Sequence, residues 1–293
     1  MDFRVFEVPG QGAEDVVVGP GGEVFTGTED GVIHRVDPGS GRADRVADTG
    51  GRPLGIELLP DGRLLVCDAR RGLLAADPAT GTIEELSGGM RFCNNAAVAA
   101  DGTIYFSDSS TVHPIDEWRA EMVEVTRTGR LLRRTPDGTV DVLEDGLAFA
   151  NGVALADDFV AVAETAARTI VRHWLDGRKT DLLVRDLPGY PDNISRGSDG
   201  LIWVSIASPR DPVVERIQRG PLWIRRGVTR VPLRMQPAPK RTVRVQAYDA
   251  GGRLVHDLRG DETRFHMVTG VREHDGRVWL GSLHEPAIAV IDR

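Results

Sequence analysis

Residues 96–108, AAVAADGTIYFSD, hold the unit from which the fold is read. A short apolar stretch runs into Asp-Gly, and a β-rich run follows. Asp-Gly tolerates the positive φ that a tight two-residue hairpin loop demands. The unit recurs as VVVGPGGEVFTGT around Gly22, as GIELLPDGRLLVCD around Gly62 and, without the glycine, as GVALADDFVAVAE around Asp158. NISRGSDGLIWVSI around Gly200 and GVREHDGRVWLGSL around Gly276 bring the number of copies to six. Each copy except the fifth leads into a further strand-like run, such as GVIHRVD, GLLAADP, RTIVRHWL or AIAVIDR.

Successive turns lie 40, 40, 56, 42 and 76 residues apart. A unit of about 40 residues has room for four strands, so the pattern predicts an all-β fold, a six-bladed β-propeller with a central metal-binding channel. A β-sandwich, the competing architecture, has no reason to repeat one hairpin six times. FRVFEVP (3–9) is expected to supply a strand to the last blade and close the ring, leaving no exposed edge. The two long intervals place insertions near 111–128 and 207–241, which are expected to cover the channel mouth. EWRAEMVEV (117–125) reads as a helix-permissive insertion packed on the rim. The Pro-rich stretch 231–243 is too short for a domain boundary, so residues 1–293 read as one domain.

Composition narrows the function. Lys and Arg total 36 against 44 Asp and Glu, a net charge of −8. That balance argues against a nucleic-acid partner, which needs a basic face. No apolar run approaches the roughly 18 residues of a membrane span, and the N-terminus lacks a basic segment followed by an apolar core. The expectation is a soluble cytoplasmic protein with a small-molecule substrate and no membrane partner; oligomeric state has no signature here. Cys67 and Cys93 alone make neither a disulfide framework nor a thiolate zinc site. They read as buried, inert thiols.

In a propeller the innermost strands converge on a channel, so polar residues opening those strands meet although they are distant in sequence. Glu14 lies 8 residues before Gly22, Asn94 8 before Gly102, Asn151 7 before Asp158 and Asp192 8 before Gly200. Offsets matched to within one residue imply a shared height in the channel. Turn formation would explain any one of these residues, but not four at matched offsets. Two carboxylates with amide oxygens make a hard, oxygen-only ligand set that suits Ca²⁺ or another hard divalent cation. Zn²⁺ would require His or Cys, and neither is present at these places.

GRPLGI (51–56), YFSDSS (105–110), NGVALADD (151–158), LPGYPDNIS (187–195) and EHDGRVWLGSLHEPAI (273–288) resemble the strictosidine-synthase-like branch of the regucalcin/gluconolactonase/paraoxonase superfamily. The resemblance implies a six-bladed propeller holding Ca²⁺ and, often, lactonase or arylesterase activity. It implies Glu14, Asn94, Asn151 and Asp192 as metal ligands, with Asn193 added as in paraoxonase-like members. This chain departs from the pattern in three places. Thr269 stands where strictosidine synthase has its glutamate. Phe92 stands where gluconolactonases carry a sugar-gripping arginine. Asn95 replaces the aspartate that commonly follows the third-blade asparagine.

The expected function is therefore a calcium-dependent hydrolase of a lactone or activated ester, with Asp192 and Asn151 as its catalytic pair. The metal would polarise the carbonyl, and Asp192 would orient or activate water. Phe92, Asn95, Thr269, His113 and His284 are expected to face the substrate. Trp223, Trp118 and Phe92 are expected to make the pocket apolar, and the Arg-rich run 219–234 reads as a solvated loop face. No G-x-S-x-G or H-E-x-x-H motif supports a serine or zinc route. The rivals are a biosynthetic cyclase or condensing enzyme without the usual glutamate, and a non-enzymatic binding propeller.

Overall fold

The computed structural model describes residues 2–231 and 238–293. The last part of the Pro-rich insertion, 232–237, lies outside the described residues. Each repeat folds into a four-stranded antiparallel sheet, and six such sheets stand around one axis. Their innermost strands are Val16–Val18, Pro53–Leu58, Cys93–Val98, Ala150–Leu155, Gly189–Arg196 and Val268–His274. Neighbouring sheets pack face to face through interdigitated apolar side chains. Trp203, Val245 and Ala247 of the fifth blade meet Val271, Val278 and Leu280 of the sixth in this way. The N-terminal strand Arg4–Glu7 pairs with the last strand, Ala287–Asp292, from Arg4 opposite Val290 to Glu7 opposite Ala287. Phe6 packs on Trp279 at 5.7 Å between ring centroids. The N-terminal strand thus becomes the outermost strand of the sixth blade, and the chain's two ends close the ring.

The turns differ from the two-residue loop expected of Asp-Gly. In the second blade the Leu59 amide bonds the Arg63 carbonyl, so the loop is Pro60-Asp61-Gly62, with Gly62 at φ 85°. This is the three-residue form in which glycine takes the left-handed position after a type I turn. The sixth blade does make the two-residue loop, because Asp275 (φ 49°) and Gly276 (φ 79°) both adopt positive φ between His274 and Arg277. The fourth copy, lacking glycine, turns through Asp157 and Asp158, neither with positive φ.

The two insertions, each between the second and third strands of its blade, the third and the fifth, form helices. The first carries α1 (Trp118–Glu124); the second carries α2 (Pro212–Gln218) and α3 (Leu222–Thr229). α2 begins at Asp211, whose carboxylate accepts the Val213 and Val214 amides at 2.8 and 3.3 Å, with Pro212 at the first helical position. The three helices contact one another and lie over one end of the ring. Among the described residues no helix is long and apolar enough to cross a membrane.

Candidate functional site

Five of the six inner strands share one irregularity: a two-residue bulge where pairing with the next strand lapses. It falls at Leu54-Gly55, Asn94-Asn95, Asn151-Gly152, Asp192-Asn193 and Thr269-Gly270. In the first blade, Glu14-Asp15 immediately precede the inner strand. Bulges re-aim side chains that a regular strand would direct into the sheets. The first residues of three bulges, Asn94, Asn151 and Asp192, line a single cavity of about 220 Å³ together with Glu14. Leu54 and Thr269 do not line it.

The second bulge residues form a different layer. Asp15 accepts the Ile56 amide at 3.2 Å and the Asn95 amide nitrogen at 3.1 Å, while Asn95 Oδ1 accepts the Val153 amide at 2.8 Å. Blades one to four are thereby stitched together. Glycine alternates with these residues because the neighbour lies too close for a side chain. A Cβ on Gly152 would sit 2.1 Å from the Ile194 nitrogen, and one on Gly270 2.6 Å from the Glu14 carbonyl oxygen.

The four cavity-facing residues are held from behind. Asn94 donates its amide to Ser109 Oγ at 2.9 Å, and Asn151 donates to Thr165 Oγ1 at 3.1 Å. Each asparagine then has a buried Oδ1 with no hydrogen-bond partner. An orphaned buried acceptor is costly, and two pointing at the same cavity call for a donor or a cation. Burial pushes the Glu14 carboxyl up to about 7 against the pull of Arg52, with Asp15 and Glu29 adding to the rise. Burial, and then Glu14, push Asp192 well above the ordinary carboxylate range, against a hydrogen bond from Asn151. Asp15 is raised by burial to about 6. Crowded carboxylates beside bare amide oxygens are the donor set that a hard divalent cation takes. The residues present fit calcium. Among the described residues no three His, Cys, Asp or Glu side chains are grouped so as to hold a metal ion by themselves, so an ion held here would draw on amide oxygens as well as carboxylates.

Sequence reasoning missed Arg52. It lies two residues before the second-blade bulge, is buried, and bonds Glu14 Oε2 at 3.1 Å and the Gly12 carbonyl at 3.3 Å. A buried basic residue in GRPLGI was the available signal. Other placements differ from expectation. Thr269 is buried and donates to the Glu14 carbonyl at 2.9 Å, so it braces the site from outside the cavity. Asn95 is committed to the interblade layer. Asn193 is buried in that layer, with neither side-chain polar atom partnered, and does not line the cavity. His113 is engaged by Glu117 at 2.8 Å and Glu124 at 3.3 Å. His284 packs edge-on against His266 at 5.7 Å between centroids. Neither histidine lines the cavity. Trp223 is 74% exposed and also lies outside it. Cys93 is buried, and burial, followed by the neighbouring Cys67, raises its thiol pKa well above the usual value.

Above the polar floor the walls are apolar. Phe92 lines the cavity as expected and packs on Phe149 at 5.7 Å. α1 contributes Trp118, Arg119, Met122 and Val123, and the second insertion contributes Val213, Val214, Ile217 and Val228. Glu124 ties the two insertions together: it accepts from Thr229 at 2.9 Å and faces Arg226 at 3.4 Å and His113. Gln218 adds a bond to the Met122 carbonyl at 2.7 Å.

Comparison with known proteins agrees with this architecture. The strictosidine synthase family model matches residues 94–178, and the N-terminal strictosidine synthase-like model matches residues 4–36. Adipocyte plasma membrane-associated protein of Rattus norvegicus is 34% identical over 322 residues, covering 97% of this chain and 84% of that protein. Among solved structures, a gluconolactonase from Xanthomonas campestris superposes with a TM-score of 0.71 at 17% identity, over 99% of this chain and 89% of that one. A calcium-binding regucalcin from Agrobacterium tumefaciens gives 0.68 at 14% identity, over 98% and 94%. At these identities the structures establish the fold alone.

Proposed function

We propose that this chain, which belongs to the strictosidine-synthase-like family, is a calcium-dependent hydrolase of lactones or activated esters with an apolar acyl part. The observation that carries the reading is the pair of bare Asn94 and Asn151 oxygens beside two carboxylates of raised pKa. Glu14, Asn94, Asn151 and Asp192 would hold the cation. Calcium, when bound, would act as a Lewis acid on a substrate carbonyl. Asp192, reached from the cavity and hydrogen-bonded by Asn151, would orient the attacking water and accept its proton. Such a carboxylate is a weak base once a cation favours its ionised form, so reactive lactones and aryl esters suit the site better than amides. Phe92, Phe149, Met122 and Leu283 would exclude bulk water and select an apolar body over a sugar.

The names of the gluconolactonase and regucalcin structures support lactone chemistry and calcium. The synthase-like family name favours a condensing enzyme instead. Against that reading, the sixth-blade position of the synthase glutamate is Thr269, whose hydroxyl is spent on the Glu14 carbonyl. The test is turnover of a panel of lactones and aryl esters by wild type and Asp192→Ala, with calcium and with chelator. Calcium-dependent turnover lost in the variant supports the proposal; bound calcium with no turnover across the panel defeats it.

A further inference from the structure

Among the described residues, two charged groups that line the cavity have no ion-pair partner: Asp192 on the floor and Arg119 on the wall. Glu14 on the floor faces Arg52, and Lys240 on the wall faces Asp211 at 3.8 Å. Arg119, from α1, also lines the cavity. Its guanidinium lies over the Trp118 ring at 5.3 Å, beside Ile115, Met122 and Val123. Among the described residues no carboxylate is paired with it, and the undescribed positions 1 and 232–237 contain no Asp or Glu. Partial burial alone lowers its pKa, with no acidic neighbour acting on it. A half-buried cation on an apolar wall is well placed to meet an anion, because a charge-assisted pair there is less screened than one in bulk water. The field of Arg119 also reaches the sixth blade, where it helps burial and His266 hold the His284 imidazole below its usual pKa, against Glu285 and Glu29.

We infer that the cavity takes an amphipathic carboxylate, with its apolar body between Phe92, Phe149 and Met122 and its anion paired with Arg119 at the wall opposite the polar floor. The assignment builds on the proposed function by naming the substrate class, but the pairing itself needs neither calcium nor turnover. Arg119 presents a planar fork of donors that matches a carboxylate. Lys240, already neutralised by Asp211, is the internal control.

The experiment is calorimetric titration of 4-phenylbutyrate and of its neutral counterpart, 4-phenylbutyramide, into chelator-treated protein. Wild type is expected to prefer the carboxylate by about tenfold, the worth of one charge-assisted pair. Arg119→Gln is expected to bind the two compounds within about twofold of each other while keeping wild-type affinity for the amide, which also shows that the variant folds. Arg119→Lys should retain part of the preference, and Lys240→Gln all of it. The inference is overturned if wild type binds neither compound, if it shows no preference, or if the preference survives in Arg119→Gln. Because the readout is binding without calcium, its failure leaves the hydrolase reading standing. Conversely, a carboxylate preference in a protein that turns over no lactone would defeat only the hydrolase reading.

Discussion

The floor and the roof of the cavity are made in opposite ways. The floor comes largely from strand bulges inside a closed ring; its residues are polar, with Glu14, Asn94 and Asn151 buried and Asp192 half-buried, and they are braced by Ser109, Thr165 and Arg52. The roof comes from two insertions, and its inner surface is apolar and joined mainly through Glu124. The contrast implies a division of labour. The ring fixes which chemistry is available, and the insertions fix which molecule reaches it. Changes to the floor should therefore act on metal binding and rate, and changes to the roof on substrate affinity.

The largest expected effect is on the floor. Asp192→Ala should lower calcium-dependent kcat/KM by about a thousandfold, measured on the best lactone of the panel. Next is Arg52→Gln. Breaking its buried pair with Glu14 should cost about 3 kcal/mol in chelator, measured by urea unfolding. The same variant should gain more stability from calcium than wild type does, because Arg52 and the cation share the Glu14 charge. Ser109→Ala and Thr165→Ala should each weaken calcium affinity by about 10- to 100-fold with the fold intact, as loss of a ligand-orienting partner does.

How much of this was legible in the sequence follows the same division. The repeated hairpin gave the ring, and equal distances from turn to strand start picked out Glu14, Asn94, Asn151 and Asp192, because blades repeat in register. The offsets did not separate the two layers of each bulge. Asn95 and Asn193 adjoin cavity residues in sequence, yet they belong to the layer below, since the two bulge positions face different ways. Arg52 was hidden because its partner Glu14 is 38 residues away in another blade. In the roof, sequence gave the insertions but not their inward faces: Trp118 lines the cavity while Trp223 faces solvent, a choice made by tertiary packing.

Smaller effects come with pH. In chelator, Glu14 and Asp192 have pKa values raised by folding, so the native chain holds more protons than the unfolded one. Stability should therefore fall as pH rises from about 4.5, the ordinary glutamate value, through about 7, and saturating calcium should remove that slope. The roof should titrate separately. Burial opposes the His113 charge, but hydrogen bonds from its imidazolium to Glu117 and Glu124 win and raise its pKa. Its contribution is full below 6.5, the ordinary histidine value, and is lost as pH rises through the raised one. His113→Gln should flatten that part of the profile, read by amide exchange in α1, and raise KM a few-fold without changing calcium affinity.

The central claim is that Glu14, Asn94, Asn151 and Asp192 together hold one divalent cation. Calorimetric titration of calcium into chelator-stripped wild type and into the Asn94→Ala, Asn151→Ala double variant tests it directly. The account predicts one calcium per chain in wild type and at least about a hundredfold weaker binding in the folded double variant. Absence of binding at millimolar calcium, or undiminished binding in the double variant, would contradict it.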